Sequence, residues 1–271
     1  MIKAAHSAQA RQPRSSWQVT RSVWSALFLR EASSRLMAGR FAWFWMLVEP
    51  LAFVVLMVMI REMLGRLRVI QNADFVPWLI VGLMAFFLFR DGVTRTLGAI
   101  TANRGLLAYR QVKPIDPVLV RAFLEGVLKV IVFVILIAGA LLLGYEILPF
   151  DPLGAMFAWM SIWLLGLGVG LVTSAATALV EEVGRIVRIL MFPLFILSGV
   201  IIPLQVMPYA IQHYLLYNPV AHGIEILRLC FFEGYHTLSG VDLLYLYYWV
   251  SASMALGLAM HVKFSMRLRA Q

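Results

Sequence analysis

Long apolar segments with few charges dominate this sequence, and they restrict what the chain can fold into. About 20 consecutive apolar residues form a helix long enough to cross the hydrocarbon core of a bilayer. Six such segments lie at roughly 41–60, 76–98, 118–143, 153–180, 186–202 and 241–262. The mean hydropathy of +0.84, with only 14% charged residues, is typical of membrane proteins. The sequence therefore predicts an all-α integral membrane protein with six transmembrane helices.

The basic residues predict how these helices are oriented in the membrane. Lys and Arg are enriched in cytoplasmic loops. They are concentrated in the first 40 residues, in the segment between the second and third predicted helices, and in the C-terminal tail. This distribution predicts that both termini are cytoplasmic (N-in, C-in), although Arg61, Arg66 and Arg68 in the first external loop do not fit the rule. Because the net charge of +9 is spread between the helices, we expect no nucleic-acid partner.

Residues 16–38, within the cytoplasmic N-terminal segment 1–40, have the pattern of an amphipathic helix. At helical spacing, one face carries the apolar side chains of Trp17, Val23, Trp24, Leu27 and Phe28. The positive charge is supplied by Arg21, Arg30 and Arg35. Such a helix lies along the membrane surface, here the cytoplasmic leaflet. It serves either as a surface anchor or in gating the path of a substrate, and the sequence leaves both open.

Residues 203–240, between the fifth and sixth predicted helices, are apolar but are interrupted by proline. Irregular backbone at membrane depth is tolerated only where protein buries it or where it lines a cavity. We therefore expect an external re-entrant helical hairpin here, in place of another crossing.

A polar cluster, YNPVAHGIEILR (217–228), lies inside this hairpin. Asn218 is suited to cap a helix and Pro219 to occupy its first position. His222, Glu225 and Arg228 follow at intervals of three, so they share one helical face. Such residues suggest catalysis or ion binding, but an external position favours a structural role. We interpret them as ties between the hairpin and neighbouring helices at an external gate.

The sequence carries few signs of enzymatic chemistry. It contains no GxxxxGK[ST] motif, so the chain has no P-loop for ATP hydrolysis, and no HExxH motif for zinc. Its single cysteine excludes an intramolecular disulfide. A remote alternative is an intramembrane serine hydrolase that uses Ser198 with His213, His222 or His261, although no nucleophile turn or oxyanion hole accompanies that serine. A non-catalytic membrane scaffold is a further alternative.

Glu49, next to Pro50, is the acid that lies plainly inside an apolar segment. An intramembrane acid serves either as a proton relay or as one half of an ion pair. The neighbouring proline favours a kink whose acid pairs with a nearby arginine.

Three stretches resemble the permease subunit of ABC-2 type polysaccharide exporters, in particular the inner-membrane permeases of capsular polysaccharide export (the KpsM-like group). They are FWMLVEPLAFV (44–54), LLAYRQVKPIDPVLVRAFLE (106–125), and LSGVIIPLQVMP (197–208) followed by YNPVAHGIEILR. The stretches keep the family's order along nearly the whole chain. The lead at 1–16 is not explained by this resemblance.

The resemblance implies that residues 41–271 form an ABC-2 type transmembrane domain in the bacterial inner membrane. It further implies a homodimer bound to two copies of a separate cytoplasmic ATPase subunit, which holds ATP and magnesium while this chain binds no cofactor or metal. The expected substrate is a lipid-linked acidic polysaccharide, passed to periplasmic and outer-membrane export proteins. O-antigen, teichoic acid or a small drug are the alternative substrates.

The resemblance also places a coupling helix at about 101–113, in the loop after the second predicted helix. There Leu106, Leu107 and Tyr109 are expected to be exposed and to fill a cleft on the ATPase, bordered by Arg104, Arg110 and Lys113. Aromatic rings stack on sugars and basic groups bind their anions. The expected substrate path therefore comprises Arg35, Arg40, Trp43, Phe44, Trp45, Trp159 and Trp163. For any single aromatic residue, packing or a membrane-interface belt remains the better explanation, and positive-inside anchoring explains the two arginines almost equally well.

Overall fold

A computed structural model describes residues 15–37, 42–63 and 72–270, and this part of the chain contains helices and no strand. The helices are α1 (Ser16–Leu36), α2 (Ala42–Met63), α3 (Phe75–Thr96), α4 (Arg104–Leu107), α5 (Asp116–Leu142), α6 (Pro152–Leu179), α7 (Glu181–Leu197), α8 (Tyr209–Leu215), α9 (Pro219–Phe231), α10 (Leu243–Lys263) and α11 (Ser265–Ala270). Two short 3₁₀ turns, Thr101–Asn103 and Leu204–Val206, complete them. The predicted all-α class is confirmed.

Five of these helices are long and apolar enough to cross a membrane, namely α2, α3, α5, α6 and α10. They coincide with five of the six segments predicted from the sequence. The remaining segment, 186–202, overlaps α7, which ends at Leu197 after 17 residues and contains Pro193. Because a crossing helix needs about 20 apolar residues, α7 by itself is short for that role. A sixth crossing is therefore not confirmed.

Helix α3 forms the centre of the fold. Its side chains from Pro77 to Phe89 are all buried, against α5, α6 and α9. Apolar composition alone does not determine this position, because an apolar helix in a bilayer is compatible both with burial in protein and with contact to lipid. By contrast α2 and α10 bury few of their side chains and turn apolar faces outward. In a bilayer those faces are covered by lipid or by another subunit.

Helices α6 and α10 pack closely because small residues line their contact. A Cβ atom at Gly257 would lie 2.5 Å from the Cβ of Leu171, and one at Gly168 would overlap the side chain of Ser253. Small residues allow transmembrane helices to approach at the backbone, where packing supplies most of the association energy.

A helix forms at the predicted place, α1, and packs along the first turns of α5. The expected single apolar face is wrong, because Trp17, Trp24 and Phe28 line one side of the helix and Val23 and Leu27 line the other. Its N-terminus is fixed by a capping box, in which Ser15 and Gln18 each bind the other's backbone N–H. The ring of Phe28 lies 6.1 Å from that of Phe123, and the indole N–H of Trp24 donates to Asp116 at 2.9 Å. The amphipathic segment is therefore attached to the helical bundle.

Candidate functional site

A row of ion-paired side chains links α2, α3 and α5, and it is buried at its α3–α5 end. The Lys129 ammonium lies 2.7 Å from one carboxylate oxygen of Asp91, and Arg90 lies 2.8 Å from the other. Arg90 also binds Glu49 on α2, at 2.8 Å. The side chains of Asp91 and Lys129 are only 4% and 6% exposed. The aromatic ring of Phe87 lies beneath both cations.

The pairing of Glu49 with an arginine confirms the interpretation of that acid as half of an ion pair. Neither Asp91 nor Lys129 is predicted from the sequence as a site residue. Each nevertheless carries the usual signal, an ionisable side chain within an apolar helix. A buried charge costs several kcal/mol unless it is partnered, so these groups tie three helices together.

A second set of ion pairs attaches α1 to α5. Arg121 on α5 lies 2.6 Å from Glu31, and Arg35 lies 3.0 Å from Glu125. Arg95 on α3 approaches Glu125 at 4.0 Å. Arg35, which the sequence analysis assigns to the substrate path, therefore already has an anionic partner within the chain.

Glu225 and Arg228 form a buried ion pair at the centre of the α9 cluster. Their side chains are 2.7 Å apart and almost completely buried. Arg228 also donates to the backbone carbonyls of Gly199 and Val200, at 2.7 and 3.1 Å, just after α7. Its guanidinium lies 3.5 Å from the ring centroid of Trp78, a favourable cation–π distance.

Two hydroxyl groups complete the coordination of Glu225. Its second carboxylate oxygen accepts from Tyr235 at 3.0 Å and from Thr237 at 2.7 Å. Tyr235 accepts in turn from the indole N–H of Trp78. Burial, followed by the charge of Glu225, raises the pKa of Tyr235, so its hydroxyl stays protonated and able to donate. Apart from the Nε–H of Arg228, which has no hydrogen-bond acceptor among the described residues, the polar groups of this cluster named above thus have partners inside the chain.

The remaining polar residues of the cluster anchor the two ends of the segment. Asn218 accepts from the N–H of Val220 as a helix cap and donates to Ser198 at 2.8 Å. His222 accepts from the N–H of Asp242 through Nδ1 at 2.9 Å and lies 2.8 Å from the carbonyl of Leu216 through Nε2. The neutral Nε2–H tautomer satisfies both bonds.

Ser198 lacks the histidine that a serine hydrolase requires. Its hydroxyl donates to the carbonyl of Leu194 at 2.6 Å and accepts from Asn218. His213 contacts Tyr217 instead, and His261 contacts the carbonyl of Gly257. Within the described ranges, no histidine contacts this serine, and the proposed Ser198 nucleophile has no base.

The loop between α3 and α5 corrects two expectations. It forms a 3₁₀ turn and the one-turn helix α4, and not a single helix over 101–113. Leu107, expected to be exposed, is only 2% exposed, because it belongs to an apolar cluster that joins Ile100 and Val112 of this loop to residues of α5, α6 and α11. A short apolar run in a loop does not reveal from sequence alone whether its side chains are buried within the subunit or are exposed for contact with another protein.

The rest of the loop keeps its expected exposure. Tyr109 is 66% exposed, and the basic residues beside it also face outward, namely Arg104, Arg110 and Lys113. Leu106 is half-buried and lines a groove against α1. The loop is held to α1 by a contact between Arg30 and Asn103.

The aromatic candidates for the substrate path do not form one group. Trp159 stacks on Phe133 with ring centroids 4.7 Å apart, and Trp163 donates to the carbonyl of Ala122 at 3.0 Å. Phe44 and Trp45 are exposed on α2 and contact each other, with ring centroids 6.0 Å apart. Arg40 and the side chain of Trp43 lie outside the described residues.

The fold and its buried charges define a polytopic α-helical membrane protein whose polar interior serves to join helices. Residues 22–232 match the model of the ABC-2 type transporter family, and the chain belongs to that family. It is 34% identical over 250 residues to the polysialic acid transport protein KpsM of Escherichia coli, a match that covers 92% of this chain and 95% of the relative.

Two further relatives are more distant. The capsule polysaccharide export inner-membrane protein CtrC of Neisseria meningitidis is 27% identical over 214 residues, 79% of this chain and 80% of its own length. The corresponding protein BexB of Haemophilus influenzae is 27% identical over 210 residues, 78% of this chain and 79% of its own length. Like these relatives, the chain is an inner-membrane protein.

Proposed function

We propose that this chain is the permease subunit of an ABC transporter that exports a lipid-linked acidic capsular polysaccharide across the inner membrane. The observation that carries this proposal is the similarity over 92% of the chain to a polysialic acid transport protein. Because the sequence has no P-loop motif, ATP and magnesium are held by a separate ATPase subunit. The chain itself performs no covalent chemistry and needs no cofactor.

The proposal includes six crossings with both termini in the cytoplasm. Five crossings come from the long apolar helices, and α7 together with the residues up to 202 provides the sixth. Helices α8 and α9 then form the external re-entrant hairpin, joined by a short connection at 216–218. The burial of α9 against α3, α6 and α10 supports this, since a re-entrant segment must be covered by protein.

A homodimer follows from the same proposal. Helix α2 exposes an apolar face through Leu51, Val55 and Met59, and α7 exposes one through Ile189 and Phe192. The ring of Phe53 on α2 lies 5.2 Å from that of Phe195 on α7, so the two helices are neighbours. A second copy that packs on these faces would close a conduit between the two subunits.

The substrate path within such a dimer includes the aromatic side chains of α2. Trp45 is 65% exposed, and its ring is free to stack on a sugar. We retain Phe44, Trp43 and Arg40 beside it as candidates. Trp159 and Trp163 pack inside the subunit, and we assign them a supporting role.

Coupling to the ATPase is proposed to depend on Tyr109. We expect Tyr109→Ala to reduce export at least about tenfold, because exposed aromatic anchors contribute about 2 kcal/mol or more to protein interfaces. The folded chain should still reach the membrane in normal amounts. The measurement is export of polymer in cells, together with the amount of ATPase recovered with the permease.

Leu107→Ala serves as the contrasting variant. Because Leu107 is buried in an apolar cluster that joins its loop to α6 and α11, the substitution should lower the free energy of unfolding by about 2–5 kcal/mol and reduce the amount of protein. If Tyr109→Ala leaves export unchanged while Leu107→Ala abolishes it in fully stable protein, the assignment of Tyr109 fails.

The function is tested by purifying the permease in mild detergent from cells that make the capsule. We expect an ATPase subunit with a P-loop to co-purify in equal number, and export to stop when that P-loop lysine is replaced. If replacing the P-loop lysine stops the export of O-antigen, teichoic acid or a drug and leaves capsule export unchanged, the proposed substrate is wrong. Absence of any ATPase from a monodisperse preparation would contradict the transporter assignment itself.

A further inference from the structure

A cavity of about 720 Å³ lies between the N-terminal half of α1 and the bundle. Its walls are almost entirely apolar and are formed by Trp17, Trp24 and Phe28 of α1, Phe123 of α5, and Trp163 and Leu167 of α6. The volume is within the range of about 300–1,000 Å³ of sites that enclose small molecules. Cavities lined by apolar side chains do not hold water well, so an apolar ligand is the suitable occupant.

One cation stands at this cavity without an anionic partner. Arg21 lines it, and among the described residues no acid lies within ion-pair distance of Arg21. The other two arginines of the described part of α1 are engaged, Arg30 with Asn103 and Arg35 with Glu125. The site thus combines an apolar slot with a single available guanidinium, which is the pattern that an amphiphile with an anionic head group would match.

We propose that this cavity binds an acyl chain of an anionic phospholipid from the cytoplasmic leaflet, with the lipid phosphate on Arg21. Anionic lipids are enriched in that leaflet, and basic residues near its surface attract them. The bilayer is the immediate surroundings of an interfacial helix, so the ligand is present at high local concentration.

The attachment of α1 favours a resident lipid over a transported one. The helix is fixed beside the cavity by the bond from Trp24 to Asp116, and further along by the ion pairs to Arg121 and Glu125. A cargo lipid has to leave the protein in every transport cycle. A cavity in a joint that is held at several points is better suited to a lipid that stays.

If the chain has the proposed function, the contacts on the opposite face of α1 make the bound lipid relevant to transport. Val23 and Leu27 border a groove against Leu106 and Val112 of the loop that we assign to ATPase coupling. Arg30 contacts the same loop through Asn103. A lipid that supports α1 from the membrane side therefore also supports the position of this loop. We expect ATP-driven transport to depend on anionic lipid.

Lipid binding is tested on the permease in complex with its ATPase, in nanodiscs of phosphatidylcholine that contain a small fraction of phosphatidylglycerol. Native mass spectrometry after detergent release counts the phosphatidylglycerol retained. Arg21→Glu reverses the charge at the cavity, and Ser25→Trp fills the cavity. We expect each substitution to reduce the retention of phosphatidylglycerol about tenfold or more. Arg21→Lys should retain most of it.

Matched controls keep this result specific. Arg267→Glu makes the same charge change on α11, and Ser34→Trp makes the same size change on an exposed part of α1, so both should retain the lipid. Thermal unfolding and ATPase recovery verify that each variant is folded. If a variant fails to fold, competition between phosphatidylglycerol and phosphatidylcholine on the wild-type complex decides, and equal retention of the two lipids would contradict the proposal.

Two other outcomes overturn the inference. Retention that is the same in Arg21→Glu, Ser25→Trp and their controls would show that the lipid binds elsewhere. Retention of an anionic lipid only from cells that synthesise the exported polymer would identify the occupant as the substrate's own anchor. Because lipid is counted in the absence of transport, the first outcome is independent of whether the chain exports capsule, whereas the second would support the proposed function while overturning this inference.

Discussion

Replacing Arg228 with methionine is expected to prevent most of the protein from accumulating in a folded state. The substitution leaves the carboxylate of Glu225 buried without its cation, and it frees the carbonyls of Gly199 and Val200 from their donor. Breaking a buried ion pair by removing one partner costs about 3–5 kcal/mol. That is a large part of the stability of a typical domain, which is about 5–15 kcal/mol.

The measurement is the thermal unfolding midpoint and the monodisperse yield of the permease in mild detergent. Arg267→Met removes a cation from an exposed position on α11 and should change neither quantity. Adding Glu225→Gln to Arg228→Met should recover part of the loss, because the uncompensated charge disappears while the hydroxyls of Tyr235 and Thr237 keep an oxygen to bind. A single Arg228→Met variant with wild-type stability would contradict the structural role of this pair.

A second large loss of stability is expected when Asp91 is replaced. Replacing its partner Lys129 should cost less. Asp91→Leu deprives Lys129 of its only anion within 4 Å among the described residues, and it also removes one of two anions from Arg90. We expect a loss of about 3–5 kcal/mol. Lys129→Met leaves Asp91 still bound to Arg90, so its loss should be smaller, about 1–3 kcal/mol.

A double-mutant cycle separates the pair from its surroundings. Replacing both residues, Asp91→Leu with Lys129→Met, removes the charges together and should cost less than the sum of the single changes, because apolar substitutes for a buried ion pair are often tolerated. Chemical unfolding of the detergent-solubilised protein supplies the free energies. Additive losses would mean that the two side chains do not stabilise each other, against the 2.7 Å contact.

The elements that the sequence predicts well are those with a strong local pattern. The long apolar helices follow from apolar length, α1 follows from helical spacing, and α9 follows from spacing and from the cap at Asn218. Glu49 is correctly interpreted as an ion-pair partner because an isolated acid beside a proline in an apolar helix leaves few alternatives.

The errors come from contacts between segments that are distant in sequence. Leu107 looks exposed when its loop is considered alone, and the fold buries it in an apolar cluster that includes Ala175 of α6 and Leu268 of α11. Asp91 and Lys129 lie 38 positions apart, and no local pattern indicates that α3 and α5 bring them together. The end of α7 has a different cause. The chain turns after Leu197, at Gly199, whose positive φ of 71° ends the helical path.

With a separate ATPase, this chain is proposed to move an acidic polysaccharide through the membrane. Inverted inner-membrane vesicles that contain both proteins provide the direct measurement, with lipid-linked acidic polymer supplied from outside. We predict that ATP drives the polymer into a compartment protected from added glycosidase. We further predict that protection is lost with an ATPase whose P-loop lysine is replaced. Equal protection without ATP, or no protection of acidic polymer in vesicles that hold an intact complex, would contradict the account.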